Sequence, residues 1–195
     1  MSYCLICGRF FEGAGEPHLS LSCLEKPPPF VRHRSCTRYE GAVKDIILLF
    51  KYHGYEILGR DLGDFIVRSL DWADDLWSGL DAVVPVPLHR RREKRRGFNQ
   101  AAILASRIAK LKKIRFIPGR LIKVRNAPAQ TSLEKAQRAE NVKGAFRIRR
   151  SAGLAGITVL LVDDVYTTGS TIRECSRVLV RAGVREVRAV TVAQA

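Results

Sequence analysis

Short apolar runs alternate with amphipathic stretches along the second half of the chain. Asp81–Val86 and Thr158–Val162 are rich in Val and Leu and predict buried strands, and Glu186–Val192 predicts a third. Between them, Gln100–Lys110 and Thr171–Ala182 repeat apolar residues at helical spacing. Strands that alternate with helices in this way predict an α/β fold, with a mostly parallel sheet flanked by helices.

The first half of the chain has a different pattern. Gly41–Tyr52 and Ile57–Leu70 have helical periodicity, whereas the first thirty residues are rich in Cys, Gly, Ser and Pro. The run Lys26–Phe30 (KPPPF) cannot be helical, because each proline restricts the residue before it, and it predicts a stiff linker. We therefore predict a small N-terminal module over residues 1–38 and a main domain over 39–195. Arg120–Arg150, which is polar and basic, is predicted to pass over the sheet.

The chain is strongly basic, with 34 Lys and Arg against 19 Asp and Glu, a net charge of +15 and an isoelectric point near 10.2. Acidic residues gather in Asp71–Asp81 and most basic residues follow Leu88. This asymmetry predicts a positive face for a polyanion, although a generally basic protein is the alternative.

The sequence has no apolar stretch of the roughly 20 residues that a membrane helix requires and no basic start followed by an apolar run. We expect no membrane insertion and a cytoplasmic location. In that reducing environment the five cysteines would be thiols or metal ligands rather than disulfides.

Two adjacent carboxylates, Asp163 and Asp164, follow the predicted strand Thr158–Val162. In open α/β sheets, ligands bind beyond the carboxyl ends of the strands. Paired carboxylates can accept hydrogen bonds from both vicinal hydroxyls of a sugar. We assign this pair to the 2- and 3-hydroxyls of a ribose.

Small residues then open the next helix: Thr167, Thr168, Gly169, Ser170 and Thr171. Their backbone N–H groups can converge on an anion, which predicts a site for the 5-phosphate of the sugar. The loop has neither the Gly-Lys-Ser/Thr end of a nucleoside triphosphate loop nor a dinucleotide turn, so a sugar monophosphate is favoured. A solvated turn with a helix cap is the alternative, but it leaves the acidic pair unexplained.

Near the N-terminus, Cys4 and Cys7 have the spacing of a zinc knuckle, and Gly8 permits the turn that such a knuckle requires. A redox pair is the alternative. That motif normally follows a strand inside a β-α unit, and these cysteines lie at the start of the sequence.

These motifs carry a resemblance. Val159–Thr171 (VLLVDDVYTTGST) resembles the signature with which type I phosphoribosyltransferases bind phosphoribosyl diphosphate (PRPP). Nearly the whole chain is similar to the ComF family, which is linked to competence and DNA uptake. The motifs that carry this second similarity are KPPPF at 26–30, KYHG at 51–54, VPVPLH at 84–89, RGFNQ at 96–100 and Gln130-Thr131.

The resemblance implies a phosphoribosyltransferase-type sheet, an N-terminal zinc module and a pyrophosphate-side loop at Pro87, Leu88, His89 and Arg90. For Arg90–Arg95 a solvated basic turn is the alternative. It also implies Mg²⁺, bound with PRPP to neutralise the pyrophosphate. A flexible loop that closes over the ligand is expected between Lys123 and Phe146. Its candidate residues are Arg125, Gln130, Thr131, Arg138 and Asn141.

The resemblance also bears on the cysteines, since it implies Cys23 as a third metal ligand. The family usually has a second C-x-x-C at this point, but here Ser20 takes the place of its first cysteine. Cys36, His18 and His33 are candidates for the fourth ligand, and Cys36 is preferred as another thiolate. A degenerate module without metal is the alternative.

Together these features predict a PRPP-binding, phosphoribosyltransferase-like protein that acts in DNA uptake and natural transformation. Single-stranded DNA and DNA-uptake proteins are the expected partners. The alternative is an active phosphoribosyltransferase of nucleobase salvage, which would require a base-binding hood that the sequence does not reveal.

Overall fold

A computed structural model describes residues 2–13, 15–53, 55–125 and 142–195. Its centre is a five-stranded sheet in the order β1-β7-β6-β2-β3, in which every pair of neighbours is parallel. These strands are β1 (Arg32–Arg38), β2 (Ala82–Pro85), β3 (Arg115–Phe116), β6 (Thr158–Tyr166) and β7 (Glu186–Gln194). The remaining two, β4 (Leu121–Lys123) and β5 (Phe146–Ile148), form an antiparallel pair. The predicted α/β class is confirmed.

Helices cover both faces of the sheet. They are α1 (Leu21–Glu25), α2 (Gly41–Tyr52), α3 (Ile57–Ser69), α4 (Asp74–Trp77), α5 (Arg90–Arg96), α6 (Gln100–Lys112) and α7 (Ser170–Arg181). The periodicity of the sequence predicted α2, α3, α6 and α7 within two residues at each end. It missed α5, because that helix consists entirely of charged residues and buries none of them. Among the described residues, no helix combines the length and apolar character needed to cross a bilayer.

The sheet separates two hydrophobic cores. The first lies between the sheet, α7 and the N-terminal cysteines, and the second lies between the sheet and helices α2, α3 and α6. Along β6, Val159 and Leu161 belong to the first core, whereas Leu160 and Val162 belong to the second. This strand is therefore buried on both faces, which explains its continuous apolar sequence.

Strand β6 extends further than predicted. Its pairing with β2 stops at Pro85–Val162, but its pairing with β7 continues to Tyr166. The acidic pair therefore lies within the strand and not after it, which corrects the predicted end at Val162. Because β2 ends opposite Val162, Asp163 and Asp164 still lie beyond the end of β2.

Strand β1 joins the sheet at the edge beside β7. Residues 32–38 were predicted to belong to the N-terminal module. Their sequence does not predict a strand, because it is mostly polar and has no apolar run. The backbone N–H of His33 also donates to the carbonyl of Ile6, so the strand contacts the cysteine segment. The division of the chain at residue 38 stays a prediction.

Candidate functional site

The acidic pair occupies the carboxyl edge of the central strand, and its two side chains lie in different surroundings. Asp164 is buried, and its Oδ1 lies 2.8 Å from Nζ of Lys51, at the end of α2. Asp163 Oδ1 accepts the backbone N–H of Asp164 at 2.9 Å. Burial and the charge of Asp164 raise the pKa of Asp163 to about 7, against the opposing effects of Lys51 and Lys123.

The loop of small residues opens α7, as predicted. Oγ1 of Thr168 and Oγ of Ser170 lie 2.7 Å apart, so the two hydroxyls orient each other. Gly169 has φ of 75°, and a Cβ built there would collide with the hydroxyl of Tyr166. Only glycine fits this position without a shift. Gly169 offers no side chain to cap the twelve-residue α7, and the first N–H of the helix, that of Ser170, makes a long hydrogen bond of 3.4 Å to Oγ1 of Thr168. The backbone N–H groups at such a helix start can bind an anion.

The predicted pyrophosphate-side residues, Pro87–Arg90, follow β2 at the same sheet edge. His89 caps α5, because its Nδ1 accepts the backbone N–H of Arg91, and its backbone pairs with Lys123 of β4. Arg90–Arg95, for which a solvated basic turn was the alternative, therefore form part of helix α5.

A cavity of about 540 Å³ lies beside this loop. Its basic lining residues are His89, Arg90, Lys123, Arg147 and Arg149. A second cavity of about 770 Å³ adjoins it through Glu93, Asn99, Ala102 and Pro118. The acidic pair and the loop at 167–171 line neither cavity.

Three predicted groups thus lie at one edge of the sheet: the acidic pair, the loop at 167–171 and the loop at 87–90. They meet because the carboxyl ends of parallel strands lie on the same side. Of the candidate flexible loop, Arg125 is described and donates to the carbonyl of Lys143 at 3.5 Å. Gln130, Thr131, Arg138 and Asn141 lie outside the described residues.

Two cations near the acidic pair were missed. Lys51 forms the ion pair with Asp164, and Lys123, whose pKa is lowered by burial and by the charge of Arg92, contributes electrostatically at Asp163. Lys51 belongs to the KYHG motif. That motif was identified in the sequence, but no role was assigned to the lysine. The sequence gives no signal for Lys123, because a long segment separates it from Asp163.

The N-terminal cysteines form a second cluster. Cys4, Cys7 and Cys23 are buried, and their Sγ atoms all lie within 4.8 Å of one another. The backbone N–H of Ser20 donates to Sγ of Cys4 at 3.3 Å, and Oγ of Ser20 lies 3.8 Å from Sγ of Cys7. Burial raises the pKa of the Cys7 thiol. Burial also acts on Cys4, but there the hydrogen bonds from Ser20 and from the backbone of Cys7 and Ile6 together outweigh burial and lower the pKa of the Cys4 thiol. Three converging thiols fit a soft metal ion, so the cluster could hold one.

Cys36 does not join this cluster, which corrects the preference for it as fourth ligand. It lies on β1 but belongs to the second core, across the sheet from the three cysteines, and its Sγ faces the carbonyl of Thr191 at 3.7 Å. The preference for Cys36 was wrong because successive side chains along a strand point to opposite faces of the sheet. Cys36 lies three residues after His33 and therefore points to the other face. Ser20 is the side chain that lies beside Cys4 and Cys7.

The two histidine candidates are also engaged elsewhere. His33 is fully buried, with Nδ1 2.7 Å from the carbonyl of Cys7 and Nε2 3.1 Å from Oγ1 of Thr191. Burial lowers its pKa to about 3, so the ring is neutral. Nδ1 of His18 lies 3.0 Å from the carbonyl of Glu16. Among the described residues, neither ring belongs to the group of converging ligand atoms.

An aromatic contact connects the cysteine cluster with the loop at 167–171. The ring of Tyr166 stacks on His33, with centroids 4.1 Å apart, and its hydroxyl lies against Gly169. His33 in turn contacts the backbone of Cys7. The segment that could hold a metal is therefore connected to the predicted phosphate loop through His33 and Tyr166.

Comparison with known proteins agrees with this topology. Residues 70–195 match the family model of the phosphoribosyl transferase domain. The chain belongs to this family. The matched region contains β2, the loop at 87–90, the acidic pair and the loop at 167–171, whereas Lys51 of α2 lies before it.

Relatives of this phosphoribosyl transferase family member match over nearly its full length. The DNA utilization protein YhgH of Salmonella typhi is 32% identical over 192 residues, which cover 96% of this chain and 82% of that protein. Competence protein F of Haemophilus influenzae is 30% identical over 95% of this chain and 82% of its own. Competence protein ComFC of Streptococcus pneumoniae is 28% identical over 95% and 84%. The resemblance to the ComF family is confirmed.

Two solved structures are similar to this chain at low sequence identity. The allosteric regulatory enzyme of purine biosynthesis is 22% identical, with a TM-score of 0.46 over 68% of this chain and 25% of that one. The purine phosphoribosyltransferase of Pyrococcus horikoshii is 13% identical, with a TM-score of 0.44 over 69% and 83%.

The cysteine cluster generates a prediction. Cys4→Ser removes one of three converging thiolates and should abolish metal binding, whereas Cys36→Ser removes a thiol on the other face and should leave the metal content of the purified protein unchanged. Elemental analysis of both variants measures this. Equal metal loss in Cys36→Ser would contradict the placement of the site.

Proposed function

We propose that this protein binds PRPP, with Mg²⁺, at the carboxyl edge of its sheet. The observation that carries the proposal is the placement of two carboxylates and a glycine-dependent helix start at one end of β6. The first supplies acceptors for vicinal hydroxyls, and the second supplies N–H donors for a phosphate. The proposal concerns binding, and it assigns no acceptor and no transfer.

Each part of the ligand has a candidate partner. The 5-phosphate would contact the backbone of residues 167–171, and the ribose diol would contact Asp163 and Asp164. The diphosphate would extend toward Pro87–Arg90, where Lys123 adds positive charge. Bound Mg²⁺ would neutralise the diphosphate. We also propose that the metal of the cysteine cluster is Zn²⁺, because buried thiolates suit a structural zinc site.

Calorimetric titration with PRPP and Mg²⁺ tests this function. The wild-type protein should bind saturably. Asp163→Asn with Asp164→Asn should weaken binding by at least tenfold, because two charge-assisted acceptors become weaker neutral ones. Absence of saturable heat in the wild type, or unchanged heat in the double variant, would overturn the proposal.

The phosphate end of the ligand is tested in the same titration by Gly169→Ala, whose Cβ would collide with Tyr166 and move the loop. Gly183→Ala is the matched control. Gly183 follows the other end of α7 and also has positive φ, but a Cβ there meets only Ala155 at 3.5 Å. Both variants carry backbone strain of about 1–2 kcal/mol, yet only Gly169→Ala should impair binding.

We further propose that the protein acts in DNA uptake and contacts single-stranded DNA. Relatives are named for DNA utilization and competence. Helix α5 exposes Arg90, Arg91, Lys94 and Arg95, and the adjacent β5 region exposes Arg147 and Arg149. These form a basic surface beside the 540 Å³ cavity.

The acidic segment does not neutralise this surface, because ion pairs elsewhere use several of its carboxylates. Asp75 pairs with Arg32 and Arg34, and Asp71 pairs with Lys112. The net charge of +15 is therefore distributed unevenly. A concentrated basic surface favours a polyanionic partner.

The dependence of oligonucleotide binding on salt tests this second proposal. Affinity should fall steeply as salt rises, because phosphate contacts release counterions. Arg147→Ala with Arg149→Ala should reduce the slope of log affinity against log salt by about 1.4. Arg181→Ala with Arg185→Ala, which removes the same charge at the opposite edge of the sheet, should leave the slope largely unchanged. Undetectable binding at low salt would exclude the DNA contact.

A further inference from the structure

Two motifs that the phosphoribosyl signature leaves without a role contact each other beside the acidic pair. KYHG supplies Lys51, whose Nζ lies 2.8 Å from Oδ1 of Asp164. RGFNQ supplies Arg96, whose guanidinium carbon lies 5.1 Å from the ring centroid of Tyr52, the residue after Lys51. Segments far apart in sequence thus place a cation directly on one carboxylate of the candidate ribose site.

The Lys51–Asp164 contact is shielded from water. The side chains are only 18% and 12% exposed. Burial alone would lower the pKa of Lys51, but the charge of Asp164, the hydrogen bond to it and the charge of Asp163 together outweigh burial and raise that pKa, so the ammonium form is retained. A shielded pair of this kind is much stronger than one at the open surface.

We propose that Lys51 is a positioning residue of the phosphoribosyl site, which orients the Asp164 side chain so that this carboxylate accepts a hydroxyl of the ribose. This inference rests on the proposed function and adds a residue outside the signature. The ammonium contacts Oδ1, and a carboxylate has acceptor sites on both oxygens, so Oδ2 can serve the sugar.

The positive charge has a second effect, because it lowers the repulsion between neighbouring carboxylates. Asp163 and Asp164 are adjacent in sequence, and the charge of Asp164 raises the pKa of Asp163 whereas the charge of Lys51 lowers it. Without Lys51 the two carboxylates would repel each other more strongly and would have a less defined acceptor geometry. The ammonium also reduces the repulsion between these carboxylates and an anionic ligand.

Contacts between α2 and the RGFNQ segment, which joins the end of α5 to the start of α6, hold Lys51 in place. Arg96 lies over Tyr52, the residue after Lys51, and donates to Oε1 of Gln100. The ring of Phe50, the residue before Lys51, packs 5.5 Å from the ring of Phe98. The end of α2 is thus fixed to the RGFNQ segment on both sides of the lysine.

Calorimetry with three probes, PRPP, ribose 5-phosphate and inorganic phosphate, separates this role from a structural one. Lys51→Met should weaken binding of PRPP and ribose 5-phosphate by about tenfold or more, the loss expected when a charge-assisted contact is removed. Inorganic phosphate should bind as in the wild type, since its site at 167–171 does not involve Lys51. Lys51→Arg, which keeps the charge, should restore much of the lost affinity.

Lys44→Met is the matched control, because Lys44 is exposed on the same helix and its loss should change none of the three affinities. Thermal denaturation confirms that each variant is folded. Tighter ribose 5-phosphate binding by Lys51→Met would show that the lysine obstructs the site, and unchanged binding would show that it is a bystander. Equal weakening of all three probes would indicate a general structural role. Each of these results would overturn the inference, whereas failure of the wild type to bind PRPP would overturn the proposed function itself.

Discussion

The difference in length between two neighbouring strands determines where the candidate site lies. Strand β6 is nine residues long and β2 is four, so β6 loses its partner on one side after Val162 while β7 supports it on the other. The backbone that carries Asp163 and Asp164 is therefore rigid and yet open on the β2 side. A site built on a strand in this way is held more precisely than one built on a loop.

The end of β6 also connects the two halves of the molecule. Side chains alternate between the two cores over Val159–Val162, but Val165 packs against the second core and Tyr166 turns to the first. There the tyrosine ring stacks on His33 and its hydroxyl contacts Gly169. The cysteine segment, the edge strand β1 and the start of α7 thus pack around a single aromatic side chain, so the N-terminal segment forms part of the support of the candidate site.

The sequence was informative where the determinants are local. Hydrophobic periodicity predicted the long elements, and the acidic pair with its small-residue loop predicted one end of the site, because strand, turn and helix follow one another directly. Contacts between distant segments were not predictable. The Lys51–Asp164 pair spans more than one hundred residues, and the exclusion of Cys36 depends on which face of β1 it occupies. Strand β1 was missed because its buried residues are polar: His33 and Ser35 contact Thr191 of β7, and His33 also contacts the cysteine segment.

The structure of a complex with ribose 5-phosphate and Mg²⁺ would show where the sugar phosphate binds. The phosphate should contact the backbone N–H groups of residues 167–171, and the sugar hydroxyls should contact Asp163 and Asp164. A phosphate bound instead in the basic cavity beside Arg147 and Arg149, with the acidic pair free of sugar, would contradict the proposed site.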